Sequence, residues 1–200
     1  MQPAAVPECL AIIAGNGSYP HAMARGARAA GVKRIVACAF ENETSEDLSK
    51  LVDQIEWMRV GQLGKMLRFL KDSGAKQAVM SGQIAPKNLF DLRPDIKAVL
   101  LLGKLRERNA ESIFGAIADS MRGAGVELIP ATSYMEEALA PVGLVAGPAP
   151  SRKTLADLEF GMRIAKETSR LDIGLAGHGQ ASDTVIINRC DHAMHAEWID

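Results

Sequence analysis

Short, continuous apolar runs alternate along the chain with stretches in which apolar residues recur about every 3.6 positions. The first pattern is typical of strands buried on both faces, and the second of amphipathic helices. Strands are predicted at residues 10–14, 34–40, 55–60, 78–80 and 126–129. Helices are predicted at residues 19–30, 61–74, 95–105, 111–122 and 154–169. This alternation predicts an α/β fold, with a mostly parallel sheet and helices on both faces.

Polar residues suggest where some helices begin. Thr44 and Ser45 can cap a further helix that starts near residue 46, and Thr154 with Asp157 would form a capping box. A stretch rich in proline and glycine then divides the chain. We expect an N-terminal domain at residues 1–140, a linker at 141–152 and a partial or divergent C-terminal domain at 153–200.

Composition narrows the class of protein. The formal net charge is -1 and aromatic residues make up 4% of the chain, so we expect no nucleic-acid partner. No apolar run approaches the ~18 residues of a membrane span, and the N-terminus lacks the basic region of a signal peptide. Cys9, Cys38 and Cys190 do not have metal-ligand spacing. We therefore expect a cytoplasmic protein with reduced thiols.

The loop after the first strand is the leading candidate for ligand binding, because ligands of such folds bind at the carboxyl ends of the strands. It consists of Gly15, Asn16, Gly17 and Ser18. Its backbone N–H groups and the following helix N-terminus could receive a phosphate. Pro20 stands where the dinucleotide fingerprint has its third glycine, although Glu41 could still contact a ribose. Phosphate binding, dinucleotide binding and a purely structural turn remain open.

Other loops of the same edge add candidates. Gly82 and Gln83, after the fourth strand, could form a ligand wall, and Asn109 could cap the helix that follows it. Lys65 could reach a phosphate as a point charge, but a solvated helix lysine is the favoured interpretation. Two further groups are weaker candidates. A basic cluster could meet an anionic substrate or a lipid surface, and it consists of Lys104, Arg106 and Arg108. A pattern in the tail could bind a metal, and it consists of Asp191, His192, His195 and Glu197.

Five segments occur in the order and spacing of a known family. They are IIAGNGSYP at residues 12–20, GQLGK at 61–65, MSGQIAPKN at 80–88, ERNAESIFGAIADSM at 107–121 and EFGMRIAKETSRLDIG at 159–174. Together they resemble the LpxI type of UDP-2,3-diacylglucosamine pyrophosphatase. The resemblance implies a Rossmann-like N-terminal domain, a second α/β domain that is truncated here, and a magnesium cofactor. It also implies hydrolysis of UDP-2,3-diacylglucosamine to UMP and 2,3-diacylglucosamine 1-phosphate (lipid X) in lipid A biosynthesis.

The resemblance sets the expected partners without assigning a catalytic residue. The substrate would be a UDP-linked acylated sugar, met at the inner membrane surface, and its expected contacts are the seven candidates Gly15, Asn16, Gly17, Ser18, Gly82, Gln83 and Asn109. After Gly174 the sequence departs from the family pattern, so neither catalytic nor metal-binding residues are carried over. We expect a homo-oligomer with weak hydrolysis. A nucleotide-binding module without hydrolysis and a nicotinamide-dependent enzyme are the alternatives.

Overall fold

The computed structural model describes residues 6–84, 94–105, 110–135, 138–139, 143–169, 175–178 and 185–188. The chain forms two compact units, residues 1–139 and residues 140–200. In the part of the chain described, no helix is long and apolar enough to cross a bilayer.

The first unit is built on a five-stranded parallel sheet. Its strands are β1 (Cys9–Ala14), β2 (Arg34–Phe40), β3 (Gln54–Met58), β4 (Gln77–Ser81) and β5 (Glu127–Leu128). They lie in the order β3-β2-β1-β4-β5, and every neighbouring pair is parallel. This is the Rossmann-like arrangement, and it confirms the predicted α/β class.

Helices connect the strands of the first unit. They are α1 (Tyr19–Ala29), α2 (Leu63–Ser73), α3 (Ile96–Lys104) and α4 (Ala110–Gly123), with a short 3-10 helix at Glu46–Lys50 between β2 and β3. The second unit contains α5 (Arg152–Ser169) and an antiparallel pair, β6 (Leu175–His178) and β7 (Val185–Asn188). The positions of the five predicted helices are confirmed, whereas the β6–β7 pair was not predicted.

Both faces of β1 are buried, which explains its continuous apolar sequence. Ala11 and Ile13 belong to a core cluster that also contains residues of α2, α3 and α4. The alternate residues of the strand, Leu10, Ile12 and Ala14, belong to a second cluster with α1. Because side chains alternate along a strand, an uninterrupted apolar run allows helices to cover both faces of the sheet.

Two of the predicted helix caps are wrong. The buried hydroxyl of Thr44 accepts a hydrogen bond from the Phe40 N–H at 2.8 Å and donates one to the Ala14 carbonyl. The Thr44 hydroxyl therefore links the ends of β1 and β2 and does not cap a helix. Ser45 does occupy the N-cap position of the 3-10 helix, but its side chain makes no capping hydrogen bond. In the second unit Ser151, not Thr154, caps α5, and its hydroxyl oxygen accepts the Thr154 N–H at 3.1 Å.

Candidate functional site

The strand order creates a crevice between β1 and β4. The two strands are neighbours, but the chain leaves β1 towards β2 and leaves β4 towards β5, on opposite sides. Loops that diverge in this way leave an opening beyond the carboxyl ends of the strands, where open α/β sheets bind ligands. Two of the predicted loops, after β1 and after β4, lie at this point.

Those two loops are hydrogen-bonded to each other. The Gly15 N–H donates to the Ser81 carbonyl at 2.8 Å, and the Asn16 N–H donates to the Gln83 carbonyl at 2.7 Å. The Gln83 N–H donates back to the Asn16 carbonyl at 3.2 Å, which completes a small antiparallel bridge. The structure therefore brings together candidates from two motifs that are far apart in sequence. It also shows that the N–H groups of Gly15 and Asn16 are already used.

Two of the candidate glycines are required by this loop contact. A β-carbon on Gly15 would lie 2.8 Å from the backbone nitrogen of Gln83 and closer still to its carbonyl oxygen. A β-carbon on Gly82, where φ is +88°, would lie 2.5 Å from the Asn16 carbonyl oxygen. Real β-carbon contacts are essentially never this short, so both positions need glycine whether or not a ligand is bound.

Gly17 has a different environment. Its φ is +96°, and no atom of the described structure lies within 4 Å of the position that a β-carbon would occupy. Gly17 and Ser18 are exposed, and α1 begins immediately after them with Pro20 in its first turn. That first turn contains no acidic residue, so nothing there compensates the positive end of the helix dipole. This geometry suits an anion placed beside Gly17.

Charged residues of neighbouring loops are engaged in ion pairs. Glu41, the candidate ribose contact, lies after β2 and its carboxylate is 3.1 Å from Nε of Arg59. Nζ of Lys65 is 2.8 Å from the Glu56 carboxylate and donates to the Trp57 carbonyl at 2.6 Å. Lys65 is thus paired with β3 while its side chain stays partly exposed.

The titratable groups of this unit include no activated thiol among the described residues. Burial, with a smaller contribution from Glu56, raises the pKa of Cys38 to about 12. Burial also raises the pKa of Cys9. In the 3-10 helix, the hydrogen bond and charge of Lys50 lower the pKa of Asp47, with a minor contribution from His21. A cysteine nucleophile needs a lowered pKa, so covalent thiol catalysis does not fit Cys9 or Cys38.

The described residues do not identify a site for the expected magnesium ion, which stays a prediction. They contain no group of three or more histidine, cysteine, aspartate or glutamate side chains that could hold a metal. Several candidates lie outside the described residues: Asn109, Arg106, Arg108, Cys190, Asp191, His192, His195 and Glu197. The assignment of Asn109 and of the tail pattern therefore stays a prediction.

Asp95 is a structurally important residue that the sequence analysis placed inside a helix. It is the N-cap of α3, where its Oδ1 accepts the Ala98 N–H at 2.9 Å. Its Oδ2 accepts the Gly64 N–H, at 2.5 Å, in the first turn of α2. An aspartate directly before an apolar periodic stretch is a capping signal that could have been recognised. Its second partner depends on tertiary structure.

The sheet order and the crevice define the chain as a Rossmann-like α/β protein. Residues 9–138 match the LpxI N-terminal domain, and the chain belongs to the LpxI family. A similar protein is the UDP-2,3-diacylglucosamine pyrophosphatase LpxI of Caulobacter vibrioides, which is 26% identical over 172 residues. The matched region is 82% of this chain and 59% of that relative, so the chain spans about three-fifths of the relative's length.

Solved structures with a similar arrangement include two biotin carboxylases. The biotin carboxylase domain of a thermophilic 2-oxoglutarate carboxylase, bound to ADP, has a TM-score of 0.38 and 16% identity, covering 92% of this chain and 38% of that chain. The biotin carboxylase subunit of a pyruvate carboxylase has a TM-score of 0.39, with the same identity and coverage. Scores this low carry no information on function.

Proposed function

We propose that this chain provides the nucleotide-diphosphate half of a substrate site for UDP-2,3-diacylglucosamine. The reaction served by that site would be hydrolysis of the pyrophosphate to UMP and 2,3-diacylglucosamine 1-phosphate, in lipid A biosynthesis. One observation supports the proposal above the others: the paired loops of β1 and β4 hold Gly17 open at the N-terminus of α1. Family membership supplies the class of substrate.

In this proposal the backbone carries most of the binding. The N–H groups of Gly17 and Ser18, with the first turn of α1, would receive the pyrophosphate oxygens. The side chains of Asn16 and Gln83 are exposed beside them and would contact the sugar or the nucleoside. Gly15 and Gly82 would act indirectly, by allowing the loops to approach each other closely.

We place no catalytic step on the described residues. Hydrolysis of a phosphoanhydride requires an activated water and stabilisation of the charge that develops on the phosphorus oxygens. Magnesium is usually held by carboxylates, and Glu41, a carboxylate on this edge, is paired with Arg59. We therefore expect the 200-residue chain to bind the substrate weakly and to hydrolyse it poorly. A binding module without hydrolysis is the second candidate function, favoured by the pairing of the Glu41 carboxylate with Arg59.

The setting of this activity is also part of the proposal. An acylated substrate is held in a bilayer, so the chain would work on the cytoplasmic side of the inner membrane. The proposed homo-oligomer would bury exposed apolar side chains of α5, which include Leu155 and Phe160.

The test uses two glycines that are matched in conformation. Gly17 and Gly31 have φ values of +96° and +94°, and in the described structure neither has an atom within 4 Å of a β-carbon position. They lie at opposite ends of α1, and only Gly17 adjoins the crevice. Either substitution by alanine should cost a similar stability, about 1–2 kcal/mol.

Calorimetric titration with UDP-N-acetylglucosamine should then distinguish the two variants by their affinity. We expect Gly17→Ala to weaken binding at least about tenfold, because the methyl group occupies the proposed phosphate position, and Gly31→Ala to bind like the wild type. Equal affinities would contradict the phosphate site. Binding of NAD in preference to the UDP-sugar would instead support the nicotinamide alternative. Magnesium-dependent UMP release by the 200-residue chain, lost on substitution of one of its own residues, would overturn the expectation of poor hydrolysis.

A further inference from the structure

α3 carries an apolar stripe on its outer side. Ile96, Val99 and Leu100 are 80%, 53% and 59% exposed. Residues three and four apart share one face of a helix, so these side chains form a continuous strip. Ala98 and Leu101 lie on the other side of α3 and pack into the core. The stripe is therefore not needed to attach α3 to the sheet.

The charges beside the stripe are basic. Lys97 lies three residues before Leu100, and Lys104 lies four residues after it. This spacing places both lysines on one flank of the stripe, and both are exposed. Among the described residues adjoining the stripe in sequence, the acid is Asp95, whose two carboxylate oxygens accept backbone N–H groups from α2 and α3. The negative charge of Asp95 is thereby held at the N-termini of α2 and α3. The two lysines then determine the charge beside the stripe.

The beginning of α3 lies at the same edge of the sheet as the candidate site. The Asp95 N–H donates to the carbonyl of Gly61, in the loop after β3, at 3.2 Å. Asp95 also caps the first turn of α2, and α2 begins at that edge. A surface bound by the stripe would therefore lie close to the edge at which the crevice opens.

We propose that the α3 stripe docks on an anionic lipid bilayer. Apolar side chains on one helix face, flanked by lysines, are typical of helices that lie in the membrane interface, with the lysine amines reaching the head groups. A second copy of the chain is a poorer occupant, because three side chains supply far less than the ~800 Å² per partner of a specific dimer. The inference rests on the proposed function, because docking on a bilayer would give the site access to an acylated substrate.

The test is flotation of the full 200-residue chain with lipid vesicles. Vesicles of phosphatidylcholine with phosphatidylglycerol should carry the wild-type chain, and vesicles of phosphatidylcholine alone should carry much less. The double variant Ile96→Ser/Leu100→Ser should lower the partition coefficient at least about tenfold. The double variant Lys97→Gln/Lys104→Gln should lower it about fivefold for each lysine, and only on the anionic vesicles. The control is Leu144→Ser/Val145→Ser, whose residues are 58% and 68% exposed in the second unit.

Three results would overturn the inference. The first is no flotation of the wild type, and the second is an equal loss in the stripe variant and the Leu144/Val145 control. The third is a dimer in light scattering that dissociates in the stripe variant, which would identify a second copy as the occupant. Flotation is measured without nucleotide, whereas UDP-sugar binding is measured without vesicles. The membrane inference and the proposed function can therefore fail separately.

Discussion

The contact between the loops after β1 and β4 can be broken by a single methyl group. In a Gly15→Ala variant the new β-carbon would lie 2.8 Å from the Gln83 nitrogen and closer to the Gln83 carbonyl oxygen. Both atoms belong to the backbone, so the clash cannot be relieved by rotating a side chain. The loops must separate, which disrupts the two hydrogen bonds between Asn16 and Gln83.

The cost follows from those contacts. Each hydrogen bond contributes about 1 kcal/mol net, and the backbone shift adds about 1–3 kcal/mol of strain. We expect the free energy of unfolding to fall by about 3–4 kcal/mol, with some recovery where water replaces the lost partners. Gly115→Ala is the control, because Gly115 lies within α4 and its β-carbon position is open in the described structure. That substitution should stabilise the chain by about 0.5–1 kcal/mol.

Urea unfolding of the two variants and the wild type measures the difference, and a UDP-sugar titration of each folded variant measures its consequence. Gly15→Ala should lose both stability and nucleotide affinity. A Gly15→Ala variant with the midpoint of the wild type would refute the reasoning, because the loops could not then be in contact in solution. Normal affinity in a destabilised variant would show that the loop contact does not shape the site.

Further predictions concern groups outside the two paired loops. Asp95→Ala should lower the free energy of unfolding by about 2 kcal/mol in urea, because two helix caps are lost together. The Ile35 N–H and the Arg28 guanidinium lower the pKa of Asp53, so its contribution to stability is complete above its unfolded pKa of ~3.9 and is lost as the pH falls through the folded value. Acid unfolding of Asp53→Asn should lack that part of the pH dependence. Cys38, whose pKa is about 12, should resist alkylation at pH 8 in the folded chain, and mass spectrometry should find Cys9 modified before Cys38.

The fold could be predicted because its elements leave local signals. β1 is apolar at every position since both of its faces are covered, and α2 ends at Gly74, whose φ is +74°. The location of the candidate site followed from one general rule, that parallel strands present their carboxyl ends on one edge. The two loops that the rule brought together are indeed hydrogen-bonded.

The remaining features depend on partners that are distant in sequence. Thr44 could be a helix cap by local signals, and only the proximity of the Ala14 carbonyl gives its hydroxyl another role. Gly15, Gly17 and Gly82 look alike in sequence. Two of them accommodate a neighbouring backbone and one faces open space, a distinction that requires the positions of atoms in another loop.

This distinction changes where an anion can be held. The loop contact uses the N–H groups of Gly15 and Asn16, so they cannot also receive phosphate oxygens. In the proposed site, binding would then rely on Gly17, Ser18 and the first turn of α1, where the helix dipole has no acidic residue to offset it. A site made of backbone donors attracts any phosphate ester, and it selects among nucleotides only through groups that contact the base and sugar. Affinity for the pyrophosphate and the ability to cleave it are thus separate properties, and the proposed site concerns the first.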